Sequence, residues 1–268
     1  TGVSLHSMLI DTHCHLDAAE FDLDRDVVHA AALAAGVERI VVPSVAVDRF
    51  NCVKTTVAGY SGCVAAYGIH PLFVTQAKES DLTVLHDWLL REKPVAVGEI
   101  GLDFYVPDQD PLRQEFFFVE QLKLAREFNL PVLLHVRRSV DAILKQLRRI
   151  KVPGGIAHAF NGSRQQADEF IKLGFKLGFG GSMTYSGSTR IRQLAASLPL
   201  ESIVLETDAP DMAPAWLAGR RNAPAELIRI AAVLAELREL SPEKIAEQTT
   251  LNARAIFPKI DLGQQYTQ

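Results

Sequence analysis

The chain of 268 residues is predicted to form a single α/β domain with the architecture of a (β/α)8 TIM barrel. Short runs rich in β-branched and apolar residues recur along the chain, and segments with helical periodicity fill the gaps between them. Eight such runs are present, and we predict strands at Met8–Asp11, Arg39–Pro43, Val64–Gly68, Val95–Glu99, Val132–His135, Gly155–His158, Phe175–Phe179 and Ile203–Glu206.

The predicted strands are apolar throughout, which is typical of parallel strands that are covered by helices on both faces. Eight strand–helix units predict a closed barrel, with a doubly wound open sheet as the alternative. The predicted helices include Leu112–Phe128, Asp141–Arg149 and Ala223–Leu237. In the first of these, Phe116 is expected to belong to the apolar stripe. A final helix would begin after Ser241, an N-cap residue followed by Pro242, and end near Ala255.

We assign residues 8–258 to the barrel domain, which we expect to be a metal-dependent hydrolase. Residues 1–7 are interpreted as a vector remnant or a disordered N-terminus, and residues 259–268 as a C-terminal tail. No apolar run approaches the roughly 20 residues needed to span a bilayer, and no secretory signal is evident. Three cysteines without CxxC spacing suit reduced thiols. We therefore expect a soluble cytoplasmic protein without membrane association or an obligate protein partner.

The charge balance restricts how the protein could bind nucleic acid. Its 28 Lys and Arg against 32 Asp and Glu residues give a formal net charge of -4. This balance argues against non-specific coating of nucleic acid, because such binding depends on neutralising many phosphates with Lys and Arg. A local basic site is still compatible with the composition, and bound metal ions could neutralise substrate phosphates.

The stretch Asp11-Thr12-His13-Cys14-His15 directly follows the apolar part of the first predicted strand. Side chains alternate between the faces of a strand, so His13 and His15 would point the same way and could bind one metal ion. A surface pair without a ligand role is the alternative for this motif taken alone. Cys14 would point to the opposite face and pack as a small buried residue.

Residues of metal-ligand type also occupy the ends of other predicted strands, where barrel enzymes place their catalytic groups. Glu99 ends strand four, His135 strand five and His158 strand six, and strand eight leads into Asp208. A buried carboxylate at Glu99 needs compensation, either by two metal ions that it bridges or by an ion pair with an arginine such as Arg137. We interpret Asp208 as a ligand close to strand one, with capping of the next turn as the alternative.

With these residues in place, the chain resembles the TatD family of metal-dependent deoxyribonucleases in the amidohydrolase-like barrel superfamily. The resemblance extends from about Met8 to Phe257, nearly the whole chain. It rests on motifs in a consistent order along the sequence, namely IDTHCHLD, GIHP, GEIGLD, PVLLHVR, HAFNGS, ETDAP and RRNAPAEL. The number and order of these motifs make the resemblance specific.

The resemblance implies a binuclear site in which two groups of ligands share one carboxylate. His13, His15, Glu99 and Asp208 would surround one ion, and Glu99, His135 and His158 the other. Imidazole and carboxylate ligands suit Zn, Mn and other first-row ions, and carboxylates with waters also admit Mg. We therefore expect two divalent ions as cofactors.

The implied reaction is hydrolysis of a phosphodiester by attack of a metal-activated water, with Asp208 and Glu99 as catalytic residues. We predict that His70 and Arg137 contact substrate phosphate. For His70, a structural role in the loop before Pro71 is the alternative. The expected substrate is single-stranded DNA, or RNA, digested from an end.

Two loops are candidates for further substrate contacts. Phe104 and Tyr105 follow strand four and would either stack an unpaired base or pack against a barrel helix. The loop 180–190 is rich in Gly, Ser and Thr, and both mobility and substrate contact remain open for it. For Arg138, an ordinary surface role is favoured over a phosphate contact.

Two other functions remain open from the sequence. The same superfamily barrel supports other hydrolyses, so a metal-dependent hydrolase of an acyl ester or amide, for example aminoacyl-tRNA, is the first alternative. Glu99 argues against the amide branch, because many of its binuclear members carry a carboxylated lysine on strand four. The second alternative is a non-catalytic nucleic-acid-binding protein with a closed, structural metal site.

Overall fold

The computed structural model describes residues 8–262 and shows eight parallel strands that form a nearly closed barrel with helices between them. Each strand pairs with the next one along the chain. The strands are β1 (Leu9–Asp11), β2 (Val37–Pro43), β3 (Cys63–Tyr67), β4 (Ala96–Asp103), β5 (Val132–Arg137), β6 (Gly155–Ala157), β7 (Phe175–Phe179) and β8 (Ile203–Leu205). The predicted (β/α)8 TIM barrel is confirmed, and the open sheet is wrong.

A helix follows each strand, and a ninth helix follows the last strand–helix unit. The helices are α1 (Arg25–Ala34), α2 (Phe50–Gly59), α3 (Asp81–Glu92), α4 (Pro111–Phe128), α5 (Val140–Arg149), α6 (Arg164–Lys172), α7 (Thr189–Ser197), α8 (Leu227–Arg238) and α9 (Pro242–Ile256). The predicted cap of α9 is confirmed, because the Ser241 side chain accepts a hydrogen bond from the Lys244 N–H. Among residues 8–262, none of the helices combines the length and the apolar character needed to cross a bilayer.

The lower part of the barrel interior is filled by apolar side chains. Seven strands each contribute one residue to this cluster, and the end of α9 packs against it through Phe257. On β5, β6 and β8 the contributing residues are Leu133, Ile156 and Val204. Two positions further along these segments come His135, His158 and Glu206. Because side chains two apart on a strand share a face, this apolar layer supports a polar layer directly above it.

The barrel closes between β8 and β1 through the buried carboxylate of Asp11. Its Oδ2 accepts a hydrogen bond from the Thr207 hydroxyl at 2.6 Å, and its Oδ1 accepts one from the Thr207 N–H at 3.0 Å. The Thr12 N–H and hydroxyl donate to the Leu205 carbonyl in return. Burial raises the pKa of Asp11 to about 7, although these hydrogen bonds oppose the rise. Closure at this seam places the segment after β1 beside the segment after β8.

Several strand boundaries differ from those predicted. β4 continues to Asp103, so Glu99 lies inside this strand and not at its end. The register between β4 and β5 shifts next to Glu99 and resumes at Ile100, which pairs with Leu134. Gly101 permits this course, because it has φ +150° and an added Cβ would collide with the His135 carbonyl. β1, in contrast, ends at Asp11, so its two histidines follow the strand.

Helix predictions also needed correction. Phe116 does not belong to the buried face of α4, since it is 39% exposed while its neighbours Phe117 and Phe118 are buried. The segment predicted as a helix from Ala223 begins as a 3-10 turn at Pro224, and α8 starts only at Leu227. The predicted N-terminal segment 1–7 and residues 263–268 of the tail lie outside the described residues.

Replacing Asp11 by alanine tests the closure of the barrel. The buried N–H and hydroxyl of Thr207 would lose their acceptors, so Asp11→Ala should lower the free energy of unfolding by about 2 to 4 kcal/mol. Urea denaturation followed by circular dichroism, in the presence of a chelator, measures this loss. The control Asp22→Ala removes an exposed carboxylate paired with Arg25 and should cost much less. Equal stability of Asp11→Ala and wild type would contradict this account of the closure.

Candidate metal centre

The polar layer above the apolar interior brings all six predicted ligands together. His13 and His15 follow β1, Glu99 lies in β4, His135 lies in β5, His158 follows β6, and Asp208 lies three residues beyond β8. Five of them line a cavity of about 1240 Å³ at the carboxyl ends of the strands, and His13 lies fully buried next to them. Cys14 is also fully buried and belongs to the main apolar cluster.

Glu99 is the centre of this arrangement, and its two oxygens face different histidines. Oε1 lies 3.0 Å from His13 Nε2 and 3.6 Å from His15 Nε2. Oε2 lies 3.2 Å from His135 Nδ1, 3.5 Å from His70 Nε2 and 3.9 Å from His158 Nε2. The side chain is only 3% exposed. A single carboxylate therefore joins two groups of donor atoms.

Asp208 completes the group on the Oε1 side. Its Oδ1 lies 3.3 Å from His15 Nε2 and 3.5 Å from His13 Nε2, and its Oδ2 lies 3.7 Å from His158 Nε2. Its backbone N–H donates to the His13 carbonyl at 2.8 Å. This bond continues the seam between β1 and β8 up to the site. The same hydrogen bond brings His13 and Asp208, which are distant in sequence, into one group of metal-donor atoms.

Two buried carboxylates orient the histidines on the Oε2 side. Asp103 Oδ2 lies 2.7 Å from His135 Nε2, and Glu206 Oε2 lies 2.9 Å from His158 Nδ1. A carboxylate at this distance favours the tautomer with a proton on the nitrogen that faces it. The lone pairs of His135 Nδ1 and His158 Nε2 are then directed towards Glu99. Histidine ligands of metals have this arrangement, with the second nitrogen bound to a carboxylate.

His70 has the opposite arrangement. Its Nδ1 accepts a hydrogen bond from the Leu72 N–H at 3.0 Å, so the neutral ring carries its proton on Nε2. Nε2 lies 3.2 Å from His135 Nδ1 and faces Glu99. His70 thus caps the 3-10 turn Pro71–Phe73 and also presents a donor to the cavity.

The buried carboxylates of the centre need positive charge nearby to compensate them. Burial alone would raise the pKa of Glu99, but His13 and His70 outweigh it and hold this pKa well below the usual range. Burial would lower the pKa of His158, yet Glu206 and Asp208 raise it to about 10. Protons on histidines thus balance the buried carboxylates when no other cation is bound. A divalent ion would supply the same charge at the same atoms.

The donor atoms also have the spacing of metal ligands. Three overlapping groups have all their donor atoms within 4.8 Å of one another: His13, His15 and Glu99; His70, Glu99 and His135; and His13, His158 and Glu206. Ligands bonded at about 2.0–2.1 Å in a tetrahedral zinc site lie about 3.3 Å apart, which matches several distances around Glu99. In this tautomer the proton on His70 Nε2 prevents that nitrogen from binding a metal, so His70 is not counted among the proposed ligands. The residues around Glu99 therefore fit the binding of a divalent metal ion.

Residues predicted to contact substrate lie around the mouth of the same cavity. The ion pair between Glu99 and Arg137 that the sequence left open is not formed, since the Arg137 guanidinium stacks 3.8 Å from the centre of the Tyr105 ring. Phe104 and Tyr105 are 41% and 47% exposed, and both line the cavity. In the loop 180–190, Ser182 and Arg190 line the cavity.

Sequence reasoning missed the two orienting carboxylates. The predicted strand four ends at Glu99 and leaves Asp103 outside it, and the predicted strand eight gives Glu206 no role beyond its place in the strand. The signal was available, because a carboxylate directly at the end of a barrel strand indicates the functional face. Gly178 shows how closely Glu206 is packed, since a Cβ there would lie 2.5 Å from Glu206 Oε2.

A TIM barrel with this donor set defines a class, the metal-dependent hydrolases. A family model described as TatD related DNase matches residues 10–258, and the chain belongs to the TatD family. The metal-dependent hydrolase YjjV of Escherichia coli K12 is 41% identical over 251 residues, which are 92% of this chain and 97% of that protein. The crystal structure of YjjV has a TM-score of 0.91 and 40% identity, covering 95% of this chain and 99% of the other.

A further relative has a more specific name. The 3'-5' ssDNA/RNA exonuclease TatD of Klebsiella pneumoniae is 33% identical over 256 residues, which are 93% of this chain and 97% of that protein. The protein is thus a metal-dependent hydrolase of the TatD family.

Replacing Asp103 by asparagine tests the orientation of His135. The asparagine oxygen can still accept the Tyr105 and Val106 N–H groups that Asp103 Oδ1 accepts, but its amide no longer accepts from His135 Nε2. We expect Asp103→Asn to weaken metal binding about 10- to 100-fold, as for other carboxylates behind a histidine ligand. Calorimetric titration of the metal-free protein with Zn²⁺ or Mn²⁺ gives the affinity.

A matched control for this substitution is Asp141→Asn. Asp141 also lines the cavity, and it accepts a hydrogen bond from Gln166 and none from a histidine. The control should keep the wild-type affinity. An unchanged affinity in Asp103→Asn would show that His135 needs no orienting carboxylate.

Proposed function

We propose that the protein is a phosphodiesterase with two divalent ions, Mg, Mn or Zn, and that it acts as an exonuclease on single-stranded DNA or RNA. The observation that carries this proposal is that the two carboxylate oxygens of Glu99 face different histidines. Oε1 faces His13 and His15. Oε2 faces His135 and His158. A carboxylate between two donor groups is the arrangement that holds a pair of ions for phosphoryl transfer. The exonuclease name of the Klebsiella relative also supports a nucleic acid substrate.

The proposed ligands of one ion are His13, His15, Glu99 and Asp208, and those of the other are Glu99, His135 and His158. When bound, the ions would lower the pKa of an attacking water and neutralise the charge of the phosphate. The cavity of about 1240 Å³ exceeds the usual small-molecule pocket of about 300–1,000 Å³. An oligonucleotide end is therefore a more fitting occupant than a small ester.

The chain's own residues have separate tasks in the proposed hydrolysis. Asp208, whose carboxylate is 14% exposed to the cavity, accepts the proton of the attacking water. The His70 Nε2–H donates to a non-bridging oxygen of the phosphate that is hydrolysed, and the Arg137 guanidinium contacts substrate phosphate nearer the mouth of the cavity. As the bond from the water oxygen to phosphorus forms, the bond to the leaving oxygen breaks, and that oxygen takes a proton from solvent. The products are a nucleotide with a terminal phosphate and a shortened strand with a free hydroxyl.

Hydrolysis of an aminoacyl ester, as in aminoacyl-tRNA, is the second candidate. The same ligands would serve it, but the donors of His70 and Arg137 suit an anionic phosphate better than a neutral ester carbonyl.

The cytoplasm is the proposed compartment. Cys14, Cys52 and Cys63 are free thiols, and a reducing compartment such as the cytoplasm keeps thiols in this reduced state.

Digestion of end-labelled oligonucleotides tests the proposed function. Wild type should shorten single-stranded DNA or RNA labelled at one end when Mg²⁺, Mn²⁺ or Zn²⁺ is supplied, and a chelator should stop it. Glu99→Ala removes the shared ligand and should abolish digestion, whereas Glu243→Ala, an exposed glutamate on α9, should leave it unchanged. An aminoacyl-tRNA assayed in parallel distinguishes the second candidate. Cleavage of the aminoacyl ester without digestion of any oligonucleotide would overturn the proposal.

Asp208→Asn tests the proton acceptor. Asparagine keeps one oxygen as a ligand but cannot take a proton, so kcat for the oligonucleotide should fall by about 100- to 10,000-fold, the usual contribution of a general base. Metal content measured by atomic emission should show that the ions are still bound. Full metal-dependent activity in this variant would assign proton transfer to another group.

A further inference from the structure

Arg137 and Arg138 stand out among the arginines that line the cavity. Their guanidinium carbons lie 3.8 Å and 4.7 Å from the centre of the Tyr105 ring. Across residues 8–262, neither guanidinium group forms an ion pair or a hydrogen bond. The other two lining arginines have partners, since Arg49 pairs with Asp17 and Arg190 bonds to Asn161. Two adjacent cations at the mouth thus lack an anion.

Tyr105 holds these cations in place. Cation–π contact with an aromatic face restricts a guanidinium group without using any of its N–H donors. The Tyr105 N–H is itself held by Asp103 Oδ1 at 3.0 Å, and the other oxygen of Asp103 contacts His135. The arginine pair is therefore attached to the metal centre through one carboxylate. An anion that binds these ordered donors loses less conformational entropy in the protein than one that binds free side chains.

The position of the pair indicates which anion it would take. Arg137 lies two residues beyond His135 on β5, so its Cα is about 6.6 Å further towards the mouth of the barrel. This displacement places the pair beyond the phosphate that the metal centre would hold. In a nucleic acid strand, the next anionic group in that direction is the neighbouring phosphodiester.

We propose that Arg137 and Arg138, positioned by Tyr105, form a subsite for the phosphodiester adjacent to the one that is hydrolysed. This inference rests on the proposed nuclease function and deepens it. The planar guanidinium fork matches the two non-bridging oxygens of a phosphate. The subsite makes the enzyme select substrates with at least two consecutive phosphodiesters over those with one. Tyr105 is a positioning residue in this account, because it acts through the arginines.

A pair of short substrates tests the subsite. Thymidine dinucleotide has one phosphodiester, and the trinucleotide has two. Wild-type holoenzyme should cleave the trinucleotide with kcat/KM about 10- to 100-fold higher, the effect expected from a hydrogen-bonded charge pair. In the double variant Arg137→Ala/Arg138→Ala this preference should disappear, mainly through a higher KM. Tyr105→Ala should reduce the preference and Tyr105→Phe should retain it, because the ring and not the hydroxyl holds the arginines.

Binding without turnover gives a second readout. Fluorescence anisotropy of a labelled thymidine oligonucleotide, measured with the full chain in chelator, reports affinity as a function of salt. For single strands, each lost phosphate contact should reduce the slope of log affinity against log salt by about 0.7. Arg149 is an exposed arginine at the end of α5 and lies outside the cavity lining. Arg149→Ala removes one positive charge away from the cavity and should keep the wild-type slope and preference.

The outcomes separate the subsite from the proposed function. If wild type cleaves both substrates and the double variant keeps the wild-type preference and salt slope, the subsite is wrong and the nuclease function stands. If wild type cleaves neither these substrates nor a longer end-labelled oligonucleotide, the nuclease function is wrong and the subsite falls with it. If it cleaves only the longer oligonucleotide, or cleaves both short substrates without preference, the nuclease function stands and this subsite is wrong. Loss of preference in the double variant, with unchanged circular dichroism and a wild-type Arg149→Ala, supports the subsite.

Discussion

The burial of one carboxylate, Glu99, governs the architecture of this site. Its side chain is 3% exposed, inside a barrel whose lower half is apolar. An ionised group in such a place is costly unless positive charge and hydrogen bonds compensate it. Histidine side chains from the segments at the ends of β1, β3 and β6 and from β5 itself converge on it for this reason. The barrel supplies this convergence, because the carboxyl ends of all its strands meet at one face.

A second set of carboxylates keeps the histidines in the required orientation. Asp103 and Glu206 each contact the ring nitrogen that points away from Glu99. This geometry therefore determines which ring nitrogen of each histidine has a free lone pair. His70 differs from the proposed ligands, because its Nε2 carries a proton and acts as a hydrogen-bond donor. Asp103 has an additional role, since it also holds the loop that carries Tyr105. One carboxylate thus connects the candidate metal centre to Arg137 and Arg138 in the cavity lining.

Much of this arrangement was predictable from the sequence. The eight strands followed from apolar runs, and the six ligand candidates followed from polar residues near the strand ends. The predictions that failed concern features that depend on contacts between residues distant in sequence. The extension of β4 to Asp103 requires pairing with β5 through Arg137, and the Phe116–Phe118 run has no periodicity that reveals which rings are buried. The partner of Arg137 could not be predicted either, because stacking on Tyr105 depends on where two loops meet.

The proposed function depends on the sharing of Glu99 by two metal ions. Anomalous diffraction from crystals grown with Mn²⁺ tests it most directly, because each bound ion gives its own peak. The account predicts two peaks about 3.5 to 4 Å apart, one on the His13 and His15 side of Glu99 and one on the His135 and His158 side. A single peak, or two peaks that do not share Glu99, would contradict it.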